Sequence, residues 1–154
     1  MKLFSRRSIL IWIFFIIINP VNPLAAESPD YDSLLLSFRQ NTEDSLVCDQ
    51  LCETIREELF SDPETGAMHA RQVMDIAAEK EQYRMLAKMI LNIGIAYDLK
   101  GQYDSALLKF EQSLKLAKEH EFKTIEGDIY NNFGIVYAYK GQLGKSLDYG
   151  LKSL

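Results

Sequence analysis

Two cysteines in the stretch CDQLC, Cys48 and Cys52, are the side chains best suited to covalent or metal chemistry. Four residues apart on a helix, their Cβ atoms stand about 5–6 Å from each other. A disulfide needs about 3.8 Å, so a regular helix would have to unwind locally to close one. Two sulfurs without a further Cys or His pair also fall short of a structural zinc site. The spacing therefore predicts two reduced, small apolar core residues on one helix stripe. His69 and His120 lie about fifty residues apart, each in or at the end of an amphipathic segment, with no nucleophile or metal ligand beside it. No glycine loop of the phosphate-cradling kind is present. These observations predict a protein that is not an enzyme and holds no cofactor and no metal.

Charge narrows the partners. The chain has 154 residues, 47% of them hydrophobic, with a formal net charge of −5. That composition suits one domain with a genuine core. The first 26 residues differ from the rest. Lys2, Arg6 and Arg7 precede the apolar run ILIWIFFIII (Ile9 to Ile18), and NPVNPLAA then breaks the helix and supplies small residues. The pattern resembles a secretory signal peptide, cut after Ala25 or Ala26. A membrane anchor is the alternative, but the run is far shorter than the roughly 20 residues a spanning helix needs. The paired arginines of SRRSIL also resemble a twin-arginine signal, although so apolar a run favours the general export route. Without residues 1–26 the net charge becomes −8, carried by 14 basic and 22 acidic residues. Such a surface repels nucleic acid. Export would place the cysteines where disulfides form, which leaves their spacing as the argument for free thiols.

The elements that hold these residues show themselves through an echo. NIGIAYDLKGQ begins at Asn92 and NFGIVYAYKGQ at Asn132, forty residues later. The match extends outward, pairing Leu107, Ser113 and Leu114 with Leu147, Ser153 and Leu154, and Ala77, Glu79 and Glu81 with Ala117, Glu119 and Glu121. A fixed period of this size marks a repeat array. Within it, Ile90, Ile93, Gly94 and Tyr97, and likewise Tyr130, Phe133, Gly134 and Tyr137, follow the helical i, i+3, i+4, i+7 rule. Lys100-Gly101 and Lys140-Gly141 end those helices. A second helix starts near Tyr103 with Ala106, Phe110, Leu114 and Ala117 on one face. Two antiparallel helices approach closely only where side chains are small, which sets Gly94 opposite Ala106 with Tyr97 and Phe110 filling the flanks.

These residues resemble the tetratricopeptide repeat. Its helix-turn-helix unit is matched closely by Ile90, Ile93, Gly94, Tyr97, Gly101, Ala106, Phe110 and Ser113, and more loosely by Tyr130, Phe133, Gly134, Tyr137, Gly141, Ser146, Gly150 and Ser153. Gly150 stands where the family has an aromatic, which predicts weak packing of the last helix. The period of forty resembles a long-helix subclass of bacterial signalling proteins, the common repeat being 34 residues. A degenerate earlier unit puts Cys48, Leu51, Cys52 and Ile55 in the first-helix places, with Cys52 replacing the packing glycine and Gly66 in the small position of the second helix. The organisation expected is a signal peptide over 1–26, a linker and capping helix over 27–41, a degenerate first repeat over 42–83, a second over 84–122 and a third, truncated one over 123–154. The resemblance implies an all-α fold, a right-handed superhelical array of antiparallel helix pairs.

By the same resemblance the partner is a protein or peptide held on the concave surface. At about 100° per residue, Asn92 lies roughly 150° from the core stripe of its helix, and Asn132 equally far from its own. The candidate groove residues are Lys88, Asn92, Asp98, Asp128, Asn131 and Asn132, the amides matching both N–H and C=O of an extended peptide; the alternative for the asparagines is that they only tie neighbouring repeats together. The resemblance further suggests an exported, periplasmic input module ahead of a membrane span and an output domain. The alternative is a structural spacer or oligomerisation element that uses Leu147, Leu151 and Leu154, which have no following helix to cover them, either through further repeats or through self-association.

Overall fold

The structure, a computed structural model, describes residues 30–154. The signal peptide expected over residues 1–26 lies outside them. Among the described residues every regular element is a helix: α1 (Tyr31–Gln40), α2 (Ser45–Ser61), α3 (Pro63–Glu79), α4 (Tyr83–Leu99), α5 (Tyr103–Glu119), α6 (Lys123–Tyr139) and α7 (Leu143–Lys152). No helix among them is long and apolar enough to cross a membrane.

The helices are punctuated in two ways. Aspartates cap the first three. The Asp30 carboxylate accepts from the backbone N–H of Ser33 at 2.8 Å, Asp44 from Leu46 and Val47, and Asp62 from Glu64 and Thr65. Pro63 follows at the first helical position, where its missing N–H costs nothing. The later helices have no such cap and rely on the preceding turn. Gly101 (φ 69°) and Gly141 (φ 72°) take the left-handed conformation, which lets the next N–H reach five residues back, Gln102 to Tyr97 at 2.9 Å and Gln142 to Tyr137 at 2.8 Å. This closes the orphan carbonyls of the helix end. Glu81 (φ 56°) and Glu121 (φ 57°) do the same between pairs, with Gln82 reaching Ala77 and Phe122 reaching Ala117. A β-carbon in that conformation costs about 1–2 kcal/mol.

Each helix packs chiefly on its neighbours in the chain, giving pairs α2/α3, α4/α5 and α6/α7. In addition α2 packs on α4 and α4 on α6. Two cores result. The first joins α1 to α4 through Phe38, Leu51, Ile55, Leu59, Val73 and Met89; the second joins α4 to α7 through Phe110, Ile125, Ile129, Phe133 and Val136. Ile95 and Tyr97 pack against both, so α4 is the seam. Ser113 supports the seam by donating its hydroxyl to the buried Ala87 carbonyl at 2.7 Å.

The close approaches correct two expectations and bear out a third. A Cβ on Gly94 would fall 2.5 Å from Cε1 of Phe110 and 3.2 Å from Cβ of Lys109. The glycine therefore makes room for the Phe110 ring, which comes nearer to it than Ala106, the small residue expected opposite. In the first pair Cys52 does not replace that glycine. Its Sγ lies 3.4 Å from Sδ of Met85, so it faces α4. The contact point is Gly66 on α3, whose absent Cβ would meet the Leu59 backbone nitrogen at 2.6 Å. In the third pair Gly150 leaves α7 weakly packed, as expected, with no buried residue, and its main aromatic contact comes one residue earlier. Tyr149 stacks on Phe133 at 4.9 Å and Tyr137 at 5.3 Å, while Gly134 lets the Ser146 carbonyl approach.

Candidate functional site

The first helices of the three pairs lie side by side, and the face they turn away from their partners encloses a groove of about 640 Å³. Arg56 and Phe60 of α2 stand at one side, and Asp128, Asn131, Asn132, Ile135 and Tyr139 of α6 at the other. Between them α4 supplies Leu91, Ile95, Asp98 and Leu99, and the α4/α5 turn adds Gly101 and Tyr103. The aliphatic stripe follows helical spacing, so its residues share one face. Phe60, Leu99, Ile135 and Tyr139 remain exposed. The result is an apolar floor with polar groups at fixed points, the composition usual for a ligand site.

Four of the six candidate residues meet here: Asp98, Asp128, Asn131 and Asn132. Asn132 donates its Nδ2 to the Asp128 carbonyl of its own helix at 2.8 Å, which leaves its side-chain oxygen as the available group. The other two candidates are elsewhere. Lys88 lines a separate recess with Cys48, Met85 and Asp49, and pairs with Asp49 at 3.2 Å. Asn92 is only 2% exposed, which corrects the expectation that it stands clear of the core. A position 150° from one stripe is clear of the core only on a helix buried along that stripe alone, whereas α4 packs on α3 and α5 and also on α2 and α6. Asn132 occupies the equivalent place on α6 and is partly exposed.

Asp98 is the unusual group of the site. Its Oδ1 is shut off from solvent and has no hydrogen-bond partner. Burial accordingly pushes its carboxyl above the ordinary aspartate range. It also breaks the forty-residue echo, because Ala138 stands at the matching position.

The residues that opened the sequence as candidates for chemistry have packing roles in the structure. Cys48 and Cys52 are free thiols. Burial raises both, Cys52 to about 11, which suppresses the reactive thiolate. His69 stacks on Tyr31 with ring centres 3.6 Å apart and places Nδ1 2.6 Å from Oε2 of Glu58. The Tyr31 hydroxyl donates to Gln72 Oε1 at 2.9 Å, and burial lifts it to about 12. Together these contacts fasten α1 to α2 and α3. His120 stacks on Tyr83 and Phe122 at the turn between the second and third pairs. Among the described residues no three His, Cys, Asp or Glu side chains converge as a metal site.

No family model matches the chain. Over 78 residues it is 24% identical to the response regulator aspartate phosphatase A of Bacillus subtilis (strain 168), a match covering 51% of this chain. The chain spans about a fifth of that relative's length, the match covering 21% of it.

Proposed function

We propose that this protein is a helical-repeat interaction module whose groove holds an extended segment of a protein partner. The observation that carries this reading is the groove itself, in which an aliphatic floor from α4 is flanked by the free amide of Asn131 and the carboxylates of Asp98 and Asp128. An extended segment offers alternating side chains and unpaired backbone groups, and a floor with polar flanks suits both. The likeness to a protein named for response regulators supports a protein partner. We read the helix pairs as a right-handed superhelical array, the groove being its concave side. The basic start and short apolar run of residues 1–26 support export, and with it a place at the front of a sensory protein.

A second reading rests on Leu143, Leu147 and Leu151 of α7 and Leu154 just after it, all of them exposed. In that reading the module is an oligomerisation element and the groove is empty. Photocrosslinking separates the two. A photoreactive residue at Asn131 is expected to give a discrete adduct with a partner protein, lost when Ile135→Asp is added, while one at exposed Leu108 outside the groove gives none. Adducts of the chain with itself from Leu147, with none from Asn131, would favour the second reading.

A further inference from the structure

We propose that Asp98 is the anchor point of the groove for a cationic side chain, an arginine or lysine of the bound segment, with aliphatic residues beside it seated on Leu91, Ile95 and Leu99. This rests on the peptide-groove reading and adds the chemistry of the occupant.

Three observations converge. A carboxylate oxygen closed off from water and unpaired is costly, since a buried polar group without a hydrogen bond loses its hydration for nothing. Asp98 is in that state while the groove is open. Its charge is shared over both oxygens, so a cation arriving from the groove neutralises the whole group. The second observation is charge balance. The groove contributes two carboxylates, Asp98 and Asp128, against one cation, Arg56, and Arg56 stands beside Glu53 at 3.9 Å. An acidic segment would meet repulsion, and a neutral one would leave Asp98 unpaired. The third is position. Around it Asn92, Gly94, Ile95, Tyr97, Lys100 and Gly101 repeat at forty, and Ile93, Ala96 and Leu99 are exchanged for larger apolar or aromatic residues, Phe133, Val136 and Tyr139, so only Asp98 changes in charge. Asp98 has alanine as its counterpart, so helix packing alone does not call for a carboxylate there.

An uncharged donor, such as a serine hydroxyl, would compensate the carboxylate less well, because hydrogen bonds between ionised partners are roughly twice as strong as neutral ones. The aliphatic flanks follow from the floor, whose Leu91 and Ile95 are four residues apart on α4 and both line the cavity. The occupant is thus a segment with one basic residue set among apolar ones.

The test is selection of a displayed random heptapeptide library on the immobilised full chain, with Ile135→Asp and Asp98→Asn chains in parallel. The expected outcome is enrichment of peptides that carry an Arg or Lys next to aliphatic residues. A selected peptide should bind the Asp98→Asn chain about tenfold or more weakly, the range for loss of a charged hydrogen bond. Changing its basic residue to Gln should then have little further effect on that chain. If peptides are selected and lost on Ile135→Asp, yet show no basic preference or bind Asp98→Asn equally well, the Asp98 assignment fails and the groove reading stands. If nothing selected depends on Ile135, both fall. Circular dichroism and thermal unfolding of each variant distinguish lost binding from lost fold.

Discussion

The first and second helix pairs each make one close approach, by opposite choices. In α4/α5 the glycine is on the first helix, and Gly94 admits the ring of Phe110 from the second. In α2/α3 the glycine is on the second helix, and Gly66 lies against the backbone of Leu59 from the first. The turns differ as well. Three residues and a left-handed Gly101 join α4 to α5, whereas Asp62 alone joins α2 to α3, ending one helix and capping the next. A close crossing needs one absent β-carbon at the contact, and either helix can supply it. A unit can therefore lose its sequence signature and keep its packing.

Exchanging the aromatic between pairs gives the largest effect. Ala70 occupies the place in α3 that Phe110 holds in α5, and both are fully buried. Phe110→Ala is expected to lose about 3–5 kcal/mol in denaturant unfolding, as for other core phenylalanines. Ala70→Phe should also destabilise, by about 1–3 kcal/mol, because the first pair has no space for a ring. A neutral Ala70→Phe would show that the two pairs are less different than their glycines suggest.

A smaller effect separates the two glycines. Gly66→Ala pushes a methyl onto backbone, which cannot step aside, and should cost about 1–3 kcal/mol. Gly94→Ala meets the end of a side chain, so part of its cost is relieved by a ring shift and the remainder is offset by the roughly 0.5–1 kcal/mol that alanine gains over glycine in a helix. The melting temperature of Gly66→Ala should be the lower; the reverse order would undo the comparison.

The turns sharpen it further. Glu81→Gly and Glu121→Gly relieve left-handed strain and should each raise stability by about 1 kcal/mol, while Gly101→Ala should lower it by about the same amount. Asp62 belongs to the other kind of turn. The Thr65 hydroxyl, then the N–H groups of Glu64 and Thr65, hold its carboxyl below the ordinary range. No glycine substitution is expected to improve that turn. Melting curves of the single variants decide this.

The smallest effect concerns pH. The folded chain holds the Asp98 proton more tightly than the unfolded chain, because burial penalises the charge. The associated stability is full below the unfolded carboxyl value and is lost as pH rises through the folded one. Asp98→Asn, free of that loss, should melt slightly higher than the parent at pH 7 and equally near pH 3. A parent more stable than the variant at pH 7 would mean that the carboxylate is paired in solution.

The forty-residue echo makes α4 to α7 legible down to their turns, because repeated glycines and apolar spacings mark both ends. It is less informative for α2. Pro63–Glu79 precedes Tyr103–Glu119 by forty residues, but Ser45–Ser61 precedes Tyr83–Leu99 by thirty-eight. The single-residue turn removes two positions, so the counterpart of Gly94 on α2 is Arg56, one helical turn beyond Cys52, which stands forty-two residues before the glycine. The groove is half legible. Asp98, Asp128, Asn131 and Asn132 follow from polar residues opposite a core stripe, yet the floor of Leu91, Ile95 and Leu99 is missed because a second apolar stripe on the same helix looks like more core. Asn92 is misplaced for a related reason, since burial on a second side depends on neighbours that periodicity within one helix does not report. The signal for Asp98 is present in the sequence as the one position of the run where the echo loses a charge, its other changes exchanging one apolar or aromatic residue for another.

The arrangement in which helices touch mainly their chain neighbours also determines how the molecule comes apart. Contacts between near segments close short loops, which favours rapid formation of pairs, and stability in such arrays is a sum of unit and interface contributions. α4 is covered on both sides and belongs to both cores, whereas α7 has no buried residue. Amide protons should therefore exchange with solvent first along α7 and last along α4. Opening of the third pair then withdraws Asp128, Asn131 and Ile135 from the groove while α4 keeps Asp98 in place, so the groove can be dismantled from one wall without melting its floor.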